Sequence, residues 1–313
     1  MKNYMENYIV NTFDGFSFGP DYKQIFQNKP VTTLMHEEII RMRHNGLITD
    51  DDLNTVKFIF NFRFVTPEIV ASYLNSQETV ENIKSRLDKL VKNRILNKFM
   101  LSMLPIDSIP PDALCIYCLD LGGKTLLSQY STCDVANWTT AKTNWSSENI
   151  GYDLVTVKFY MQLMNTCGAK VEYFKSNPEY RINKNVVIPS FEFCLIIGGL
   201  RKYFIGEIVR DFDIPIGFRT KSEKLESILC TKAWMKYFHD ANGNVPVLFL
   251  IGENDDVALE TARIMSTVSG IAAFRMTTDE RINRNLNEGG AFLKYNKEKD
   301  CLQAIKASTF DPD

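Results

Sequence analysis

The stretch 66–100, TPEIVASYLNSQETVENIKSRLDKLVKNRILNKFM, decides how the first part of the chain folds. Thr66 supplies a side-chain cap and Pro67 suits the first helical position, so 68–74 reads as a short helix. Asn75-Ser76-Gln77 reads as a turn. Thr79 then caps a longer helix running to about Arg94, because Val80, Ile83, Leu87, Leu90 and Val91 fall on one stripe at helical spacing. From Ile95 to Leu101 the pattern becomes strand-like.

Outward from this stretch the same logic extends in both directions. Upstream, 35–43 reads as a helix stopped at Gly46. Asp50, Asp51 and Asp52 open another, whose acidic start suits the helix dipole, with Leu53, Val56, Phe58, Ile59 and Phe60 as its apolar content. Downstream, a loop carrying Pro105, Pro110 and Pro111 leads to a second strand over 114–119, and Asp120 caps a helix through Leu127. Helix, short helix, turn, longer helix and hairpin is the order of a winged helix-turn-helix domain, placed here at 46–130. Residues 1–45 form an arm and a helix, and 1–30 show aromatics, Gly15, Gly19 and Pro20 but no clean period.

The helix at 80–92 carries the functional signal. On a wheel its apolar stripe lies opposite Asn82, Ser85, Lys89 and Lys92, with Arg86 flanking. Residues 81–98 hold six basic side chains (Lys84, Arg86, Lys89, Lys92, Arg94, Lys98) against Glu81 and Asp88, a local +4 in a chain of net charge −2. Cations for phosphates and amide or hydroxyl groups for base edges are what a helix in the major groove needs. Asn82, Ser85, Arg86, Lys89, Lys92, Arg94 and Lys98 are therefore the candidate contacts to double-stranded DNA. The competing reading is a solvated amphipathic face.

Residues 131–150, STCDVANWTTAKTNWSSENI, have the composition of a linker. Beyond it, 153–164 reads as a helix, 170–174, 185–197 and 203–209 as strands, and 221–239 as a long helix. A strand at 245–251, a helix at 257–268 and a final strand at 271–276 complete a mixed α/β domain over 151–313. Phe58, Phe60, Phe62 and Phe64 read as core, and Gly198-Gly199 as a turn.

Bulk properties narrow the class. With 313 residues, 45% hydrophobic and 24% charged, the chain has the profile of a folded two-domain protein. Its seven cysteines are unpaired in spacing, which predicts reduced thiols and a cytoplasmic location. The longest apolar run, 191–200, is too short to span a membrane, and the N-terminus lacks a signal-peptide core, so no membrane partner is expected. Cys115-x-x-Cys118 lacks a second pair to complete a zinc site, and Gly122-Gly123-Lys124-Thr125 lacks the first glycine of a P-loop. No cofactor is expected.

Several of these segments resemble the replication-relaxation family, proteins of plasmids and integrative elements in Gram-positive bacteria. The resemblance rests on Val65-Thr66-Pro67, the basic helix, Tyr117-x-Leu119-Asp120-x-x-Gly123 and Tyr152-Asp153-Leu154-x-Thr156. It continues at Ile188-Pro189-Ser190, Phe204-Ile205-Gly206-Glu207 and the lysine-rich helix that follows, covering about residues 50–255. It implies an N-terminal winged helix, a C-terminal domain like the PD-(D/E)xK nucleases, and a role in replication, transfer or control of a mobile element.

Matched residue by residue, such a nuclease site is incomplete. Ser190 stands where the metal-binding aspartate belongs, Glu207 matches the glutamate, and Val209 occupies the lysine position. Glu192 shares the strand face of Ser190, and Lys232 or Lys236 on the following helix are conceivable replacements. The expectation is a DNA-binding regulator or accessory factor of a mobile element. Its nuclease-like domain would be non-catalytic and would mediate dimerisation or partner contact. The alternative is a metal-dependent DNA endonuclease with migrated active-site residues.

Overall fold

The computed structural model describes residues 16–29, 36–74, 78–103, 113–238, 245–268, 274–283, 286 and 290–305. The chain is a mixed α/β structure of two compact units, Met1–Val157 and Lys158–Asp313. The expected turn at 75–77 and most of the proline-bearing loop lie outside the described residues.

In the first unit, α1 (His36–His44), α2 (Asp50–Phe62), β2 (Phe64–Val65), α3 (Pro67–Leu74) and α4 (Val80–Lys92) follow β1 (Lys23–Phe26). Then come β3 (Leu96–Ser102), β4 (Ile116–Leu119) and α5 (Leu121–Tyr130). Helices α2, α3, α4 and α5 start where the sequence places them. Thr49 and Asp52 form a reciprocal capping box on α2, and Thr79 Oγ accepts from Asn82 N at 3.3 Å on α4. Ile83, Leu87, Leu90 and Val91 of α4 are buried, as the wheel requires.

The strands form one antiparallel sheet in the order β1-β3-β4-β2. Strand β1 came from a segment with no readable period, because its burial pattern does not alternate. Gly122 and Gly123 are required at the start of α5. A Cβ on either would lie 2.7 Å from Arg94 O or 2.4 Å from Ile95 O, so the helix can approach β3 only without side chains there.

The 131–150 segment is not the free linker its composition suggests. Val135, Trp138 and Thr143 are buried, Lys124 Nζ donates to Trp138 O at 2.8 Å, and Ser147 already begins helix α6 (Ser147–Cys167). Gln24 side-chain atoms clasp Thr143 O and Trp145 N at 3.0 Å each. Polar residues fill this stretch because it satisfies backbone groups by local turns, not because it is unpacked. The division between units falls later, within α6.

The second unit is built on a seven-stranded mixed sheet, order β13-β12-β11-β10-β9-β8-β5. Its strands are β5 (Val171–Ser176), β8 (Phe191–Ile197), β9 (Leu200–Val209), β10 (Val247–Gly252), β11 (Phe274–Thr278), β12 (Phe292–Asn296) and β13 (Cys301–Ile305). A separate hairpin pairs β6 (Tyr180–Ile182) with β7 (Asn185–Val187). Short α7 (Asp213–Ile216) and α8 (Phe218–Cys230) connect β9 to β10, which run parallel. Helix α9 (Asp255–Met265) connects β10 to β11, also parallel, and the single turn α10 (Asp279–Ile282) follows.

One sheet face is aromatic. Phe159 of α6 lies 5.1 Å from the rings of Phe191 and Phe249, and Phe193 stacks on Phe204 at 4.5 Å. Gly206 makes room for this layer, since a Cβ there would fall 1.9 Å from the Phe191 ring.

Three expectations for this unit are corrected. The single strand expected over 185–197 is two, broken by Pro189, which cannot donate to the ladder. The helix expected over 221–239 starts at Phe218 and stops at Cys230, where Lys232 turns with a left-handed φ of 54°. The strand expected to be final is followed by β12 and β13.

Candidate functional sites in each unit

The outer face of α4 exposes Asn82, Ser85, Lys89 and Lys92 to solvent. The other three candidate residues are engaged within the unit. Arg86 Nη2 and Nη1 lie 3.2 and 3.1 Å from Asp52 and Glu78. Lys98 Nζ lies 2.7 Å from Asp88, which also accepts from Tyr117 Oη at 2.8 Å.

Arg94 is tied more firmly. It sits just past α4 with a φ of 60°, pairs through Nε with Asp120 Oδ2 at 3.0 Å and donates to Lys29 O at 2.8 Å. Asp120 is buried and caps α5 through Leu121 N. Burial raises its pKa, against the Leu121 N–H and Arg94, which both lower it. Arg94 and Lys98 therefore serve the junction of α4 with the sheet, and the outward cations reduce to Lys89, Lys92 and the partly exposed Lys84. Lys89 Nζ reaches Leu47 O at 3.0 Å, an exposed contact that water or phosphate can replace.

In the second unit, Ser190, just before β8, and Glu207 of β9 come together. Ser190 Oγ donates to Glu207 Oε1, and the Ile208 N–H reaches both Glu207 Oε1 at 3.1 Å and Ser190 Oγ at 3.2 Å. The cation at this carboxylate is Lys221, with Nζ 2.8 Å from Oε1. Burial works against the Lys221 ammonium, but the charge and hydrogen bond of Glu207, with Asp213 behind them, hold its pKa above the ordinary lysine value.

Neither Lys232 nor Lys236 takes this place, because α8 ends before them and both are exposed. Lys221 is absent from the sequence-derived candidates, which take the later lysines of that segment; it lies in the first turn of α8, after the short α7 that follows β9.

Glu192 is also displaced from any shared role. It is buried and accepts a hydrogen bond from Tyr180 Oη of the hairpin. Burial raises its pKa, opposed by the Tyr180 hydrogen bond and by Lys175. At the carboxyl ends of the parallel strands, Arg210 and Asp279 form a buried ion pair at 3.1 Å.

This donor set does not fit a divalent cation. Such a site needs hard oxygens converging on one point. Here Oε1 of Glu207 already serves Ser190, a backbone N–H and an ammonium. No grouping of three or more His, Cys, Asp or Glu side chains able to hold a metal occurs among the described residues. Cys115 and Cys118 are free, the second fully buried.

No family model and no curated protein matches the chain. Among solved structures, restriction endonuclease FokI aligns at 12% identity over 80% of this chain and 44% of its own, with a TM-score of 0.29. FokI bound to DNA gives the same identity and TM-score over 45% of its length. The chain thus spans less than half of FokI, and an overlap this loose does not establish a shared fold. No described helix is long and apolar enough to cross a membrane.

Proposed function

We propose that the chain is a double-stranded-DNA-binding protein of a mobile genetic element, acting as a regulator or as a replication or transfer accessory factor. The first unit reads DNA as a winged helix. Its second unit, with the part of α6 that belongs to it, is a PD-(D/E)xK-like domain that does not cleave DNA; the run α6, β5, β8, β9, α8, β10, interrupted by the β6–β7 hairpin and α7, supports this reading.

The single observation that carries the reading is the outer face of α4. Four exposed positions spaced three or four residues apart, Asn82, Ser85, Lys89 and Lys92, combine base-reading and phosphate-neutralising groups on a helix whose opposite face is committed to the core, with Glu81 exposed beside them. The pairing of β4 with both β2 and β3 supports the wing. The mobile-element setting rests on the sequence resemblance over about residues 50–255.

The endonuclease alternative has one observation in its favour: Lys221 supplies the cation that Val209 does not. Against it, Ser190 replaces a carboxylate and Glu192 is bound to Tyr180. A gel shift with duplex DNA, run beside incubation of supercoiled plasmid with Mg²⁺ or Mn²⁺, tests both readings. The expected result is a salt-sensitive shift and intact plasmid. Nicking that Glu207→Gln abolishes would establish the alternative.

A further inference from the structure

The β6–β7 hairpin stands outside the main sheet of the second unit, and two strands alone are marginally stable. One face anchors it. Tyr180, Ile182 and Val187 are buried, Arg181 N donates to Tyr237 Oη at 2.8 Å, and the Tyr180 ring lies 4.9 Å from that of Tyr237. The other face has no such work. Arg181 and Val186 are directly paired across the strands and both point outward, followed two residues on by Ile188. Val186 and Ile188 are each 50% exposed, unusual for branched apolar side chains.

The tip is Asn183-Lys184, with Asn183 in a left-handed conformation and both residues exposed. Beside the hairpin, the 3-10 turn Ala233–Lys236 exposes Met235, and Lys232 and Lys236 are solvent-accessible. Arg181 and Lys184 lie on the hairpin, and Lys232 and Lys236 flank and end the 3-10 turn that packs against β6. Glu179 lies 4.0 Å from Arg181, with both side chains more than half exposed. A contact that open holds Arg181 weakly.

We infer that this hairpin is a second DNA-contacting element, a β-ribbon with cations for phosphates and apolar side chains for the groove. The major groove admits a two-stranded ribbon as readily as a helix, and apolar groups there meet thymine methyls. The inference rests on the proposed DNA-binding reading and extends it to the second unit. It gives Lys232 and Lys236 a role away from Glu207.

The test measures anisotropy of a fluorescein-labelled duplex titrated with the full chain over a series of salt concentrations. Arg181→Glu with Lys184→Glu should weaken binding on the order of 10-fold and flatten the log–log salt slope by about 2. Val186→Ser with Ile188→Ser should weaken binding with the slope unchanged. Melting curves matching the parent show that exposed changes left the fold intact. If the parent binds duplex and loses it on Lys89→Glu with Lys92→Glu, yet both hairpin variants bind like the parent, the hairpin inference fails alone. If the parent binds no duplex, both readings fall. Loss of binding to phosphatidylserine vesicles in the hairpin variants, with duplex affinity unchanged, would assign the face to a lipid surface and overturn the inference.

Discussion

Lys221 Nζ lies 2.8 Å from Glu207 Oε1, so the first turn of α8 neutralises a carboxylate that β9 holds in the buried layer of the second unit. Glu207 is 1% exposed, and its environment without that ammonium would be a serine hydroxyl and a backbone N–H. A half-buried lysine is thus the condition for keeping a buried acid.

Removing the cation should therefore cost stability before it costs anything else. Lys221→Met is expected to lose about 3 kcal/mol, at the low end for a broken buried pair because Lys221 is one-third exposed. Urea unfolding checks this, and Lys221→Met with Glu207→Gln should recover much of the loss. A single substitution that leaves the midpoint unchanged would show that the pair is not needed.

Gly206 makes a sharper packing claim. Gly206→Ala would drive a methyl into the Phe191 ring, 1.9 Å away, and overpacking of this kind costs about 1–3 kcal/mol. Phe191→Leu in the same chain should reduce the penalty. Equal melting of parent and Gly206→Ala would mean that the aromatic layer can shift aside.

Glu192 sets a pH dependence. Its folded pKa lies above the ordinary glutamate value of 4.5 because burial disfavours the charged form. The folded state then binds more protons than the unfolded state above pH 4.5, so stability falls as pH rises through the folded pKa. Glu192→Gln keeps an acceptor for Tyr180 Oη and should melt with a shallower decline from pH 4.5 to neutrality than the parent. Parallel curves would contradict the assignment.

Much of this architecture was legible in the chain because local chemistry marked it. The aspartates at 50–52 open α2, Thr79 and Asp120 each begin the helix they cap, and the stripe from Ile83 to Val91 is the buried face of α4. Gly198-Gly199 marks the turn between β8 and β9 and Pro67 opens α3, whereas the break at Pro189 goes unread in the sequence. The stop of α8 at Cys230 has no glycine or proline to announce it, so two lysines were assigned to a helix they do not join. Strands β1, β12 and β13 alternate poorly because two of them are edges with mixed exposure. Charge counts also overstate an interface: Arg94 and Lys98 contribute to the local +4 but face Asp120 and Asp88 within the unit.

The centre at Glu207 should be silent toward DNA. Glu207→Gln is expected to bind duplex within about twofold of the parent, because its side chain is buried rather than surface-presented. Parent and variant should both leave supercoiled plasmid uncut with Mg²⁺ or Mn²⁺. Metal-dependent nicking by the parent alone would restore a catalytic role.

A single titration decides whether α4 reads duplex DNA. Parent and Lys89→Glu with Lys92→Glu are titrated into labelled duplex at 50 and 200 mM salt, with melting curves to show that both are folded. The parent is expected to bind and to weaken steeply with salt, while the double variant loses binding at both concentrations. Parent-like affinity in the double variant would show instead that the outer face of α4 does not touch DNA.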